Sequence, residues 1–202
     1  MDVFVVQHAE KGAGGADPGV TWRGRLQAAR AADALASRCL SLVWTSPLRR
    51  ALESARIIGD ALAVSVATDS RLTERMNWGG DQECSIQQFL EEWRRTVADR
   101  DYVPPTGDSS RAAGARFAGF LTAIAKTGRR ASAVVSHGGV TVDLLRTLLG
   151  DDELDRRSPG LIDGGVPGCA ITSLSVEPGE IQVVDIASIE HLPEAVRSGH
   201  RA

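Results

Sequence analysis

Apolar residues fall into two alternating periods along this chain. Val3 to Val6 form an unbroken apolar run that ends at Gln7 and His8. A run this short suits a strand covered on both faces. Residues 12–19 (GAGGADPG) then turn the chain away. Residues 20–38 carry Ala28, Ala31, Ala32 and Leu35 at helical spacing, with Thr21 placed as N-cap. Residues 41–46 form a second strand. Ser46 followed by Pro47 predicts a helix start, with Ser46 as N-cap. Leu48, Leu52, Ala55, Ile58 and Leu62 mark the buried face of that helix.

The alternation continues. Residues 64–68 predict a short strand, and residues 71–80 a polar loop carrying Glu74. Residues 86–100 predict a helix with Phe89, Leu90 and Trp93 turned inward. Two prolines and a glycine make residues 101–108 a connector. Residues 109–125 form a helix with an apolar stripe of Ala113, Phe117, Phe120, Leu121 and Ile124. Residues 132–136 form a strand that ends in His137-Gly138-Gly139, and a helix follows over 140–149. Residues 150–167 read as irregular. Strands over 169–176 and 181–186 meet at Pro178-Gly179, a hairpin turn. From Ala187 onward the chain is polar and is expected to fray. The expected fold is α/β, a three-layer α/β/α sandwich around a mainly parallel sheet, with residues 1–202 as one domain. His8 then stands at the carboxyl end of a central strand, the edge where such sheets bind ligands. By position alone it reads as a histidine capping a strand.

Composition narrows the partners. The net charge of −3 gives no electrostatic case for nucleic acid or an anionic membrane. No apolar run reaches the roughly 18 residues of a membrane span, and the first residues lack a signal-peptide pattern. Cys39, Cys84 and Cys169 are scattered, which fits reduced thiols in a cytoplasm. No Cys/His cluster has metal-ligand spacing, so neither a metal nor another cofactor is expected.

Charge placement changes the picture more. Arg49 and Arg50 fall in the first turn of a helix, where the macrodipole disfavours cations. They are either tolerated as exposed arginines, the reading taken for Arg49, or, two together after a strand, the sign of a bound anion held by helix amides and a guanidinium. Glu74 lies between Arg71 and Arg75, which either favour an acidic substrate or pair with local carboxylates. Trp78 nearby either meets a leaving group or packs beneath its loop. Two glycines after His137 allow close backbone approach to a ligand. Two histidines, an arginine and a carboxylate are a sufficient kit for phosphoryl transfer to an imidazole.

These residues resemble the histidine phosphatase superfamily, branch 1, which is phosphoglycerate mutase-like. Gln7-His8-Ala9-Glu10 corresponds to its first motif, Arg-His-Gly or Arg-His-Ala-Glu. The stretch from Val20 to Ala28 (VTWRGRLQA) resembles its Leu-Thr-x-x-Gly-x-x-Gln-Ala helix entry, and the stretch from Ser46 to Ala55 its Ser-x-Leu-x-Arg-Ala motif. Leu72-Thr73-Glu74 and Ser136-His137-Gly138-Gly139 follow in order, with a weaker tail match at His191-Leu192. The resemblance implies His8 as a nucleophile that becomes phosphohistidine. It implies Arg50 and His137 as phosphoryl ligands and Glu74 as general acid. Ser46 and Lys11 would line the pocket, and the Gly138 amide would assist an oxyanion. The family arginine is here Gln7, which carries no charge and makes no bidentate fork. Its loss is worth roughly 1–3 kcal/mol of phosphate binding, or about tenfold to a hundredfold.

The implied function is phosphate monoester hydrolysis on a small phosphorylated substrate or a phosphoprotein. A weakened or inactive member that binds phosphorylated ligands or a partner is the second reading. A phosphoglycerate mutase is the third, because the loop after Glu74 is short for the insertion that mutases carry. Substrate identity and oligomeric state stay open.

Overall fold

A computed structural model of the protein describes residues 1–14, 17–78 and 85–197. Outside them fall residues 15–16 of the glycine-rich turn, residues 79–84 with Cys84, and residues 198–202. In chain order the elements are β1 (Asp2–Gln7), α1 (Trp22–Leu35), β2 (Val43–Thr45), α2 (Arg49–Leu62), β3 (Val66–Thr68), α3 (Ile86–Ala98), α4 (Ser110–Ala125), β4 (Ala131–Ser136), α5 (Gly138–Leu149), α6 (Asp151–Arg157), α7 (Leu161–Gly164), β5 (Ile171–Glu177) and β6 (Glu180–Ser188). Short 3₁₀ turns occupy Ala36–Arg38, Ser70–Leu72 and Glu194–Val196. No helix among the described residues is long and apolar enough to cross a membrane.

The strands form one sheet in the order β3-β2-β4-β1-β5-β6. The first four are parallel, and β5 and β6 are antiparallel. The alternating side chains of β1 explain the layers. Phe4 and Val6 face a core shared with α1 and α2, through Ala28, Ala32, Ala55 and Ile58. Val3 and Val5 face the opposite core, with Phe117, Phe120 and Leu121 of α4 and Leu144 of α5. Both faces of β1 are therefore dry, which is why its sequence is apolar without alternation. Thr21 caps α1 as expected, accepting from the Gly24 amide. The β5–β6 turn uses Gly179 at φ +92°, a region that favours glycine.

Four expectations are corrected. The N-cap of α2 is Leu48, not Ser46, and its first amide, on Arg49, is capped by the Asp17 carboxylate at 2.8 and 3.0 Å. The Ser46 hydroxyl accepts from the Leu48 amide, ahead of the first helical residue. Residues 150–167 are not irregular throughout, because they include α6 and α7. Asp151, Asp152 and Glu153 open α6 and Arg156 and Arg157 close it, matching the macrodipole, while Leu154 is buried. The tail does not fray at Ala187. Leu192 is buried in the α1–α2 core, and the Gln27 side chain donates to the Val196 carbonyl. Finally, Phe89, Leu90 and Trp93 of α3 do not enter the core, for Thr96 is the helix's one buried residue.

Candidate active site

Strand register assembles the site. In the parallel ladders, Gln7 stands opposite Ser136 and Thr45 opposite Val135. One residue further on, His8 and His137 therefore leave the sheet side by side, with Ser46 next to them. Their ring centroids are 5.2 Å apart in an edge-on arrangement. The backbone of β1 stays paired to its tip, with the His8 amide donating to the Ser136 carbonyl at 3.0 Å.

His8 Nδ1 lies 2.8 Å from the Ala9 carbonyl oxygen. That oxygen only accepts, so Nδ1 carries the proton and Nε2 keeps its lone pair. Burial and the nearby Arg50 charge lower His8 from 6.5 to about 3. Its ring is therefore neutral across the physiological range.

Arg50 is 4% exposed, although it sits in the first turn of α2. Arg49, beside it, is exposed and pairs with Glu53 at 2.7 Å. The two arginines therefore take opposite roles. Arg50 Nη2 donates to Asn77 Oδ1 at 3.1 Å, and Nη1 lies 3.5 Å from an Asp17 carboxylate oxygen. Ser54 ties this turn to β1: its hydroxyl donates to the Arg50 carbonyl and accepts from the Ala9 amide.

His137 is fully buried, and its Nε2 lies 2.8 Å from Ser46 Oγ, which also accepts from the Leu48 amide. Burial first, then the neighbouring His8 ring and the Arg50 charge, hold His137 well below the ordinary histidine range. Ser46 therefore backs His137 and does not line the cleft, against expectation.

Nine buried side-chain polar atoms lack a hydrogen-bond partner among the described residues, and four belong to this cluster: Gln7 Oε1, Arg50 Nε, Arg50 Nη1 and His137 Nδ1. Such atoms are rare in folded proteins and call for an explanation. A half-turn of the Gln7 carboxamide would present its NH₂ where Oε1 stands, making every member a donor. Donors gathered around a neutral histidine suit an anion with several oxygens.

Glu74 reaches the same edge from the loop after Leu72. Its Oε2 accepts from the Gly139 amide at 3.0 Å, and Oε1 accepts from the Val140 and Arg75 amides at 2.7 and 2.9 Å. It thus takes two of the N-terminal amides of α5 and is oriented by them. A Cβ on Gly139 would lie 2.4 Å from the Trp93 ring and 2.7 Å from Glu74 Oε1, so a side chain there would push Trp93 or Glu74 out of place. At Gly138 a Cβ would meet Gln7 Nε2 and Val166 only at 3.5 Å, so packing does not demand glycine there.

An open cleft of about 1130 Å³ covers the site, and Gln7, His8, Lys11, Arg50 and Glu74 line it. Gly138 lines an adjoining space of about 250 Å³. Lys11 is exposed at the cleft, and partial burial followed by Arg50 lowers its ammonium. Arg71 and Arg75 both pair with carboxylates. Arg71 grips Asp69 through two nitrogens, and Arg75 makes a buried pair with Asp143 at 2.7 Å. Burial raises the Asp143 carboxyl to about 6, opposed by Arg75. Trp78 faces the cleft. His191 Nε2 donates to the Cys169 carbonyl, and the Cys169 amide donates to the Gln7 carbonyl, so the tail match lies behind the β1 tip.

Sequence reasoning missed Asp17 and Asn77, which hold Arg50, and Asp143, which holds the loop bearing Glu74. None stands in a motif, and only the fold brings each to its partner. Ser54 was visible inside the Ser46–Ala55 motif, without its bridging role.

The model of the histidine phosphatase superfamily (branch 1) matches residues 5–188. The chain is 31% identical over 163 residues to a probable phosphoglycerate mutase, GpmB, of Yersinia enterocolitica, covering 74% of this chain and 75% of that one. Its fold is similar to that of a mycobacterial glucosyl-3-phosphoglycerate phosphatase solved with inorganic phosphate, at TM-score 0.74 and 23% identity over 95% of this chain and 99% of that one. It is also similar to a phosphoserine phosphatase of Entamoeba histolytica, at TM-score 0.71 and 21% identity over 95% and 99%.

Proposed function

The chain belongs to the histidine phosphatase superfamily, branch 1, and from that premise we propose that it hydrolyses phosphate monoesters through a phosphohistidine on His8. The observation that carries this is the set of buried polar atoms of Gln7, Arg50 and His137 without a hydrogen-bond partner, around a neutral histidine whose Nε2 keeps its lone pair. The phosphatases among the structural neighbours support the same reading.

The steps follow from the geometry. Arg50, Gln7 and His137 bind the phosphoryl oxygens. His137 Nε2 and Ser46 Oγ share a hydrogen bond; in the tautomer where the hydroxyl donates, the His137 proton sits on Nδ1, the atom without a hydrogen-bond partner, and can point to a phosphoryl oxygen. His8 Nε2 attacks phosphorus, and the P–O ester bond breaks. Protonated Glu74 gives its proton to the departing oxygen, using the second lone-pair site of an oxygen that also accepts an amide. The Glu74 carboxylate then takes a proton from water. The hydroxide oxygen bonds to phosphorus as the N–P bond breaks, releasing inorganic phosphate and neutral His8.

Turnover of p-nitrophenyl phosphate tests this. His8→Ala should lower kcat by at least about a thousandfold, because the covalent route is removed. Phosphate should be trapped on His8 in the native protein alone. Equal turnover by the two proteins refutes the reading. Gln7 favours a second reading, a weakened member that binds phosphorylated ligands without turnover, since it offers one amide where a guanidinium would carry charge. Vanadate or phosphate affinity without turnover would support it. The named mutase relatives motivate a third assay, interconversion of phosphoglycerates.

A further inference from the structure

Helix α3 presents an apolar stripe with no core to serve. Ile86, Phe89, Leu90 and Trp93 recur at helical spacing, yet Leu90 is 41% exposed and the helix's one buried residue is Thr96. Phe89, Leu90 and Trp93 belong to neither sheet-facing core, and all three line the cleft above His8. An apolar stripe facing a cleft with a phosphate-type site at its floor marks the place of an apolar ligand part.

Its position relative to Glu74 says which part. The general acid must stand beside the departing oxygen. The Trp93 ring edge and Glu74 Oε1 crowd the same point over Gly139, 2.4 and 2.7 Å from where a Cβ would sit. A group leaving toward Glu74 therefore meets Trp93 next, and Phe89 lies 6.0 Å from Trp93 between ring centroids. The wall is held in place. The Arg75 guanidinium stacks 3.9 Å from the Trp93 ring centroid and is itself paired to buried Asp143. Phe89 and Leu90 carry no hydrogen-bonding side-chain atom for a sugar hydroxyl or an amino-acid head group. Arg50 lies at the phosphate floor, and the cleft's other basic side chains, Lys11 and Arg23, come from a different segment than α3, with Arg23 paired to Glu10 at 3.5 Å.

We propose that the leaving group accepted here is an apolar alcohol or phenol, packed against the Phe89–Leu90–Trp93 face of α3. This rests on the phosphatase reading and assigns its substrate class. A series of n-alkyl phosphates tests it, since leaving-group acidity barely changes from ethyl to octyl while apolar area grows. A fully buried methylene is worth about fourfold and a half-covered one about twofold. Octyl phosphate should therefore exceed ethyl phosphate in kcat/KM by roughly fiftyfold, and should also exceed glycerol phosphate and phosphoserine. Phe89→Ala and Leu90→Ala should each reduce the octyl-to-ethyl ratio about threefold or more. Both side chains lie outside the core, so these variants fold. A ratio near one, a preference for glycerol phosphate or phosphoserine, or a ratio unchanged in both variants would overturn the assignment. If no ester turns over, the phosphatase reading fails, and the wall is judged by a tryptophan-fluorescence titration with octyl and ethyl phosphate. Tighter octyl binding that weakens in Phe89→Ala supports the wall; equal binding refutes it.

Discussion

At the floor of the cleft, Arg50 and His137 are 4% and 0% exposed, and each sits at a helix start fed directly by a strand. On its wall, Leu90 is 41% exposed, on a helix whose one buried residue is a threonine. The floor carries buried polar atoms without partners; the wall carries apolar atoms without a core. The two misfits are complementary. Polar donors buried by the sheet and a dry stripe beside them fit a ligand with an anionic head and an apolar body. The floor's geometry comes from ladder register, which a one-residue slip would destroy. The wall's comes from a seam: Trp93 on Arg75, Arg75 on Asp143, and Asp143 also accepting from Ser110 at 2.7 Å.

Cutting that seam should give the largest effect. Asp143→Ala leaves the Arg75 charge buried and unpaired, which costs about 3–5 kcal/mol. Thermal unfolding should show it, and the loop carrying Glu74 should lose amide-exchange protection relative to β1 and β4. Unchanged stability would mean that floor and wall are not joined through this pair. A smaller effect should come from the floor alone. Gln7→Arg adds a charge-assisted donor beside Arg50 and should tighten inorganic phosphate by about tenfold to a hundredfold, or roughly 1–3 kcal/mol. Isothermal titration measures it. No gain would show that Gln7 is already matched to its ligand.

The smallest effect is on acid stability. The folded-state value of His8 lies below its unfolded value, near 3 against 6.5. The unfolded chain therefore binds this proton first as pH falls. The contribution is complete above pH 6.5 and is lost as pH drops through the window toward about 3. Between pH 7 and 6 the loss is about half to 1 kcal/mol. His8→Ala should reduce the fall of the melting temperature over that interval by its own share, leaving the shares of buried His137 and of His191, which are also held below the ordinary range; an unaltered slope would place the titration elsewhere.

The residues of the floor were legible in the sequence because each is the next residue after an apolar strand or the first turn of a helix. Local signals marked the places of His8, Arg50 and His137 (a dry run, a helix start, a glycine pair), but only the ordered motifs shared with the family gave them roles and chose Arg50 over Arg49. The wall was misread. Phe89, Leu90 and Trp93 have the spacing of a core face, and spacing alone cannot say whether a helix faces a core or a cleft. α6 was missed although its charges run acid-first and base-last, because seven residues with one buried leucine give almost no periodic signal.

The sequence by itself determined the strands, the helices that follow them and the residue types at their junctions, since these depend on neighbours within a few positions. Only the tertiary structure decided that His8 and His137 stand side by side, that Arg50 points inward while Arg49 points out, and that the stripe of α3 lines the cleft. Those facts depend on pairing between segments far apart in the chain. Pairing is set by how two whole faces bury one another, which no local window contains.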